Sequence, residues 1–118
     1  MKSFLAVFTG SVNSNNQASW QALDEAARQK RIADGMAAWG AWMAKHQASI
    51  AVEGGPLGKT KLASSAGIAD IRNNMSGFVI IRAESHDAAS RLFEGHPHFT
   101  LFPGDGVEIM ECMPIPGR

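Results

Sequence analysis

Gly77–Phe99 reads GFVIIRAESHDAASRLFEGHPHF, a strand–turn–helix–loop unit whose boundaries are all marked. Phe78-Val79-Ile80-Ile81 is a short apolar run rich in β-branched residues, the pattern of a strand with both faces buried. Ser85 stands where a helix N-cap belongs, and Asp87 in the first turn suits the free N–H groups and the positive end of the dipole. Ala88, Ala89, Leu92 and Phe93 fall at helical spacing as one apolar stripe. Gly95 supplies a left-handed terminator, and Pro97 forbids the helix to resume.

Working outward, a chain of 118 residues predicts one domain, residues 1–118, long enough to bury a core. Eleven Lys and Arg balance eleven Asp and Glu. No segment concentrates Lys and Arg into a basic face, so no nucleic-acid partner is expected. No apolar run reaches the roughly eighteen residues of a membrane helix. The opening MKSFLAVFTGS lacks the apolar core and small-residue cleavage site of a leader and reads as a first strand. One cysteine, Cys112, excludes an internal disulfide and any multi-cysteine zinc site, as expected of a cytoplasmic protein.

Phe4–Thr9 reads as that strand, with Phe4, Ala6 and Phe8 on one face and Leu5 and Val7 on the other. A turn-rich loop, Gly10–Asn16, precedes a long helical region from about Ser19 to His46. Its apolar residues, from Trp20 and Leu23 to Trp39 and Met43, recur at three- and four-residue steps. Asp34-Gly35 predicts a break near residue 34, and Asp24 and Arg28 are spaced for an i,i+4 pair. Ser49–Glu53 is a second strand, closed by Gly54-Gly55-Pro56. Residues 57–76 show no firm period and read as a functional or mobile loop, with a short strand around Thr60–Ala63. Val107–Met113 is the last strand. The order β-α-β-β-α-β predicts the α+β class: a ferredoxin-like antiparallel sheet with its helices on one face. Apolar residues on both strand faces require a second cover, and a two-fold partner packed sheet to sheet supplies it. A homodimer is expected.

Several segments carry a family resemblance in order: the MKSFLAVF strand, Met36-Ala-Ala-Trp-Gly-Ala-Trp-Met43, Gly54-Gly55-Pro56-Leu57 and Ser76-Gly77-Phe78-Val79-Ile80-Ile81. They continue with Ala83-Glu84-Ser85, Asp87-Ala88-Ala89, His96-Pro97-His98-Phe99 and Val107-Glu108-Ile109-Met110. Together they resemble the YCII-related family of the dimeric α+β barrel superfamily, near the branch named for a DGPF motif. The resemblance implies a dimeric α+β barrel. The DGPF tetrapeptide itself is missing near Ser65-Ala66-Gly67-Ile68. The first-helix histidine of members proposed to be catalytic would fall near Ala38 or Trp39, so the family's His–Asp pair is not carried over.

Among residues suited to chemistry, His96 and His98 lead. Pro97 biases His96 toward extended backbone, which would point both imidazoles one way, as an acid–base pair or as metal ligands; the plain alternative is a surface loop whose histidines cap a helix end. Trp39 and Trp42 either line a pocket for a flat ligand or fill the core. Asp70 and Arg72 either close over an anionic ligand or ride on a solvated loop. Glu111 reads as a dimer-rim carboxylate, His46 as a partner of the helix-end carbonyls, and Cys112 as a buried strand cysteine. No resident metal or cofactor is expected.

Three functions follow as expectations. The first is a homodimer binding a small aromatic or acidic metabolite in a sheet–helix cavity. The second is a cofactor-independent lyase, isomerase or oxygenase on a phenol- or quinone-like substrate, with His96 or His98 as base. The third is a non-catalytic dimerisation module without a ligand-sized cavity.

Overall fold

The computed structural model describes residues 1–117. In chain order its first half comprises β1 (Lys2–Thr9), α1 (Asn15–Ala22), α2 (Glu25–Lys45), a 3-10 turn at Gln47–Ser49 and β2 (Ile50–Pro56). Then come β3 (Thr60–Ser64), β4 (Gly67–Ile71), β5 (Met75–Ala83), α3 (His86–Arg91), α4 (Pro97–Thr100) and β6 (Gly106–Glu111). Four strands form one sheet in the order β2-β5-β1-β6, every neighbouring pair antiparallel. With the helices on one face, this is the ferredoxin-like α+β arrangement.

β1 is central because its apolar residues serve both faces. Phe4, Ala6 and Phe8 lie opposite Ile81, Val79 and Gly77 of β5. With Trp42, Ala89 and Phe93 these side chains make the core between sheet and helices. Phe4 and Ile81 are fully buried, each worth about 1.5–3 kcal/mol relative to exposure. The other face carries Leu5, Phe78 and Ile80, half-buried only by their neighbours, with Val52 and Met110 exposed. No helix covers it.

The helical region divides earlier than its sequence suggests. The break lies at Leu23–Asp24, where the Asp24 carboxylate accepts the Ala27 N–H at 2.7 Å as an N-cap. Asp24 therefore makes no pair with Arg28, whose guanidinium donates to the Leu23 carbonyl instead. Residues 34–35 stay helical. Gly35 is buried because Phe102 lies against it; a Cβ there would come within 2.5–2.6 Å of the ring. The glycine that looks like a helix breaker is a close-packing site.

Residues 57–76 are likewise more regular than their sequence suggests. They hold the β3–β4 hairpin, paired from Thr60↔Ile71 to Ser64↔Gly67, all of it exposed but Thr60. Its short, mixed strands give no period for a sequence pattern to detect. Cys112 lies just past β6 and is exposed, not buried. Glu111 is half-buried, 3.8 Å from the Lys2 ammonium. No helix among the described residues is long and apolar enough to cross a membrane.

Candidate functional site

A cavity of about 610 Å³ opens between α2, the β2–β5 end of the sheet and the loop after α4. Its walls are aromatic and thioether side chains, among them Phe8, Met36, Trp39, Trp42 and Phe102. Its polar groups are few: Glu53, Ser76, His98 and the backbone around Gly54, Gly55 and Gly77. No Lys or Arg lines it. That composition is typical of a pocket for a small organic molecule oriented by a handful of polar contacts.

The HPHF segment is not extended through its second histidine. Gly95, at φ 66°, turns the chain after α3, and His96 is extended before Pro97, the first residue of α4. The His96 Nδ1 accepts the His98 backbone N–H at 3.0 Å, so the imidazole serves as the N-cap of this short helix. Because Nδ1 accepts, the proton of the neutral ring sits on Nε2. That Nε2 is buried without a hydrogen-bond partner. The ring is enclosed by aromatic side chains instead: Trp39 and Trp42 stand steeply to it at centroid distances of 4.6 and 4.8 Å, with Phe8 at 5.2 Å. Burial, first, and the nearby His98 and His46 push its pKa down to about 4. His96 is a neutral member of the aromatic core.

His98 faces the cavity. Its Nε2 lies 2.7 Å from the Thr9 carbonyl oxygen, which can only accept, so Nε2 carries the proton. Nδ1 is then the basic nitrogen and has no intramolecular bond among the described residues. The ring is fixed from several sides: the Gly104 N–H donates to the His98 carbonyl at 2.9 Å, and the Asp105 N–H binds the same Thr9 carbonyl at 2.8 Å. Asn16 holds the Gly104 carbonyl at 2.8 Å. A Cβ on Gly104 would overlap Nε2, Cε1 and Cδ2 of His98. The imidazole thus has a set tautomer and orientation, which a general base requires.

The two tryptophans pack on the core and also form cavity wall. Trp42 is buried in the core, with its Nε1–H donating to the Leu92 carbonyl at 2.8 Å, and its ring also forms cavity wall. Trp39 is half-buried between Phe8, at 5.0 Å, and His96. Asp70 and Arg72 are elsewhere: both are exposed at the base of the β3–β4 hairpin and line no part of the cavity, and Asp70 pairs with Lys61 at 2.7 Å. His46, the C-cap of α2, packs on Trp42 at 5.0 Å, and burial followed by the Lys45 charge lowers its pKa.

Glu53 is a site residue not singled out from the sequence. β2 pairs with β5 through two register shifts, one on each side of Val52. Such bulges re-aim side chains. Gly54 has φ 65°, and a Cβ there would collide with the Phe78 carbonyl, so only glycine lets the edge strand come this close. A carboxylate beside paired glycines at a strand end was the available signal. Among the described residues no group of three or more His, Cys, Asp or Glu side chains is placed to hold a metal ion.

Fold and site together define a ferredoxin-like α+β domain with an aromatic cavity and one fixed imidazole. No family model matches the chain, and neither does any curated protein. Among solved structures it is similar to the 5-chloro-2-hydroxyhydroquinone dehydrochlorinase TftG from Burkholderia phenoliruptrix AC1100, in complex with 2,5-dihydroxybenzoquinone. The two are 24% identical with a TM-score of 0.54, over 92% of this chain and 90% of that one. The likeness extends to the fold.

Proposed function

We propose that this protein is a small-molecule-binding domain of YCII-like type, a cytoplasmic homodimer that takes a flat aromatic ligand between α2 and the sheet. The observation that carries this reading is the cavity itself: about 610 Å³, walled by Trp39, Trp42, Phe8 and Phe102, with His98 at its side. An aromatic slot of that size suits a ring of about six to ten atoms with small substituents. The plain dimerisation module has no use for such a cavity.

The geometry of His98 favours a second, catalytic reading, as a cofactor-independent enzyme on a phenol- or quinone-like substrate. With Nε2–H held by the Thr9 carbonyl, Nδ1 would take the proton of a ring hydroxyl, and Trp39 and Trp42 would hold the ring. The fold neighbour that binds a hydroxyquinone is consistent with this class of ligand. His96 supports the site by packing and capping.

The test is a thermal-shift screen against phenols, hydroxyquinones, small carboxylic acids and divalent metals. A ligand at a hundred times its Kd stabilises by about 2.7 kcal/mol, several degrees for a domain of this size. Gly40→Leu is the control. Gly40 lines the cavity, and an added Cβ there meets nothing within 4 Å. The leucine fills the slot while improving helix propensity by about 0.8 kcal/mol. Aromatic hits that disappear in this variant support the reading; no hit among the aromatics overturns it. For any substrate found, His98→Ala should abolish turnover while leaving the fold intact.

A further inference from the structure

The cavity's walls and its one charged lining side chain do not match an anionic ligand. Glu53 is exposed, lines the cavity and takes part in none of the ion pairs among the described residues. His98 is the other titratable group, and its Nε2–H is already committed to Thr9. A carboxylate entering this site would lose water, meet no Lys or Arg, and approach a like charge. An ammonium group meets the opposite conditions. Indole and phenyl faces attract cations, Trp most strongly, and the carboxylate supplies a charge partner. Glu53 follows Val52, which pairs with Ile80 on the other face, so strand alternation puts it on the cavity side.

We propose that the cavity selects aromatic amines, with the ring against Trp39 and Trp42 and the protonated nitrogen toward Glu53. This rests on the ligand-binding reading above and narrows it, excluding the acidic metabolites that the sequence left open. Glu53 is then the specificity-determining residue of the site.

The experiment uses three probes of nearly the same shape and different charge: 2-phenylethylamine, 2-phenylethanol and phenylacetate. Each is titrated into the native protein and into Glu53→Gln, with Trp fluorescence or NMR shifts of the Trp39 and Trp42 indoles as readout. The amine should bind about tenfold more tightly than phenylacetate, and the alcohol should fall between them. In Glu53→Gln the ratio of amine to phenylacetate affinity should collapse to within about threefold. The variant changes an exposed side chain, and an unchanged melting temperature verifies its fold. Phenylacetate binding as well as the amine, or a ratio untouched by Glu53→Gln, overturns the selection while the aromatic-cavity reading survives. If none of the probes saturates a site, and the broader aromatic screen is silent as well, both readings fail.

Discussion

His96 is the residue whose protonation costs most. In the unfolded chain its pKa is near 6.5, and in the folded protein burial, with His98 and His46 nearby, brings it to about 4. The folded state therefore binds fewer protons between those values, and stability present above pH 6.5 is lost as pH falls toward 4. At 1.36 kcal/mol per unit the loss approaches about 3 kcal/mol. His46 shifts in the same direction and adds to the slope. His96→Phe keeps an aromatic ring among Trp39, Trp42 and Phe8 but removes the proton site. Urea unfolding at pH 7 and pH 5 should show a smaller pH difference in the variant than in the native protein; equal differences would place the titration elsewhere. Neither the burial nor the shift is visible in the letters HPHF. Two histidines around a proline look alike in sequence, and only their different neighbours, an aromatic cage for one and a backbone carbonyl plus open cavity for the other, separate their roles.

At the scale of elements, local rules performed well wherever a side chain acts on its own backbone. Ser85 caps α3 by accepting the Ala88 N–H at 3.1 Å, and Gly95 takes the left-handed turn. They failed where a distant element decides. Gly35 continues α2 because Phe102, from the other end of the chain, fills the space beside it. The β3–β4 hairpin is the opposite case, an element with little to hold it. Its strands are five residues each, exposed except at Thr60, and an isolated two-stranded hairpin is only marginally stable in water. In the protomer as described, its amides should exchange with deuterium at least about a hundredfold faster than those of Phe4–Phe8 and Val79–Ile81. Protection equal to that of β1 would mean that another surface covers the hairpin.

The whole molecule is thin and open. Its extents are 55 × 42 × 19 Å, and its radius of gyration is 16.3 Å, against about 13.5 Å for a compact chain of this length. The smallest dimension accommodates two layers, one sheet and one row of helices. The uncovered sheet face, with Leu5, Phe78, Ile80, Val52 and Met110, is the apolar surface that a second copy would bury in the proposed homodimer. Sedimentation at micromolar concentration should give twice the chain mass. Ile80→Arg, which puts a charge at the centre of that face, should give a monomer of unchanged helical content. A native protein that sediments as a monomer would refute the sheet-to-sheet dimer.

By itself the sequence determined the β-α-β-β-α-β frame, the ferredoxin-like class, the core residues of β1 and β5, and the segments from which Trp39, Trp42 and His98 reach the cavity. Those features follow from periodicity, caps and turn residues, which act over a few positions of chain. Only the tertiary structure decided that His96 is neutral and internal, that His98 is locked by Thr9, and that Gly104 must be small. It also decided that Glu53 joins the site while Asp70 and Arg72 stay outside it. Each of these depends on contacts between segments tens of residues apart, where burial, charge and steric fit are set by the neighbour and not by the residue.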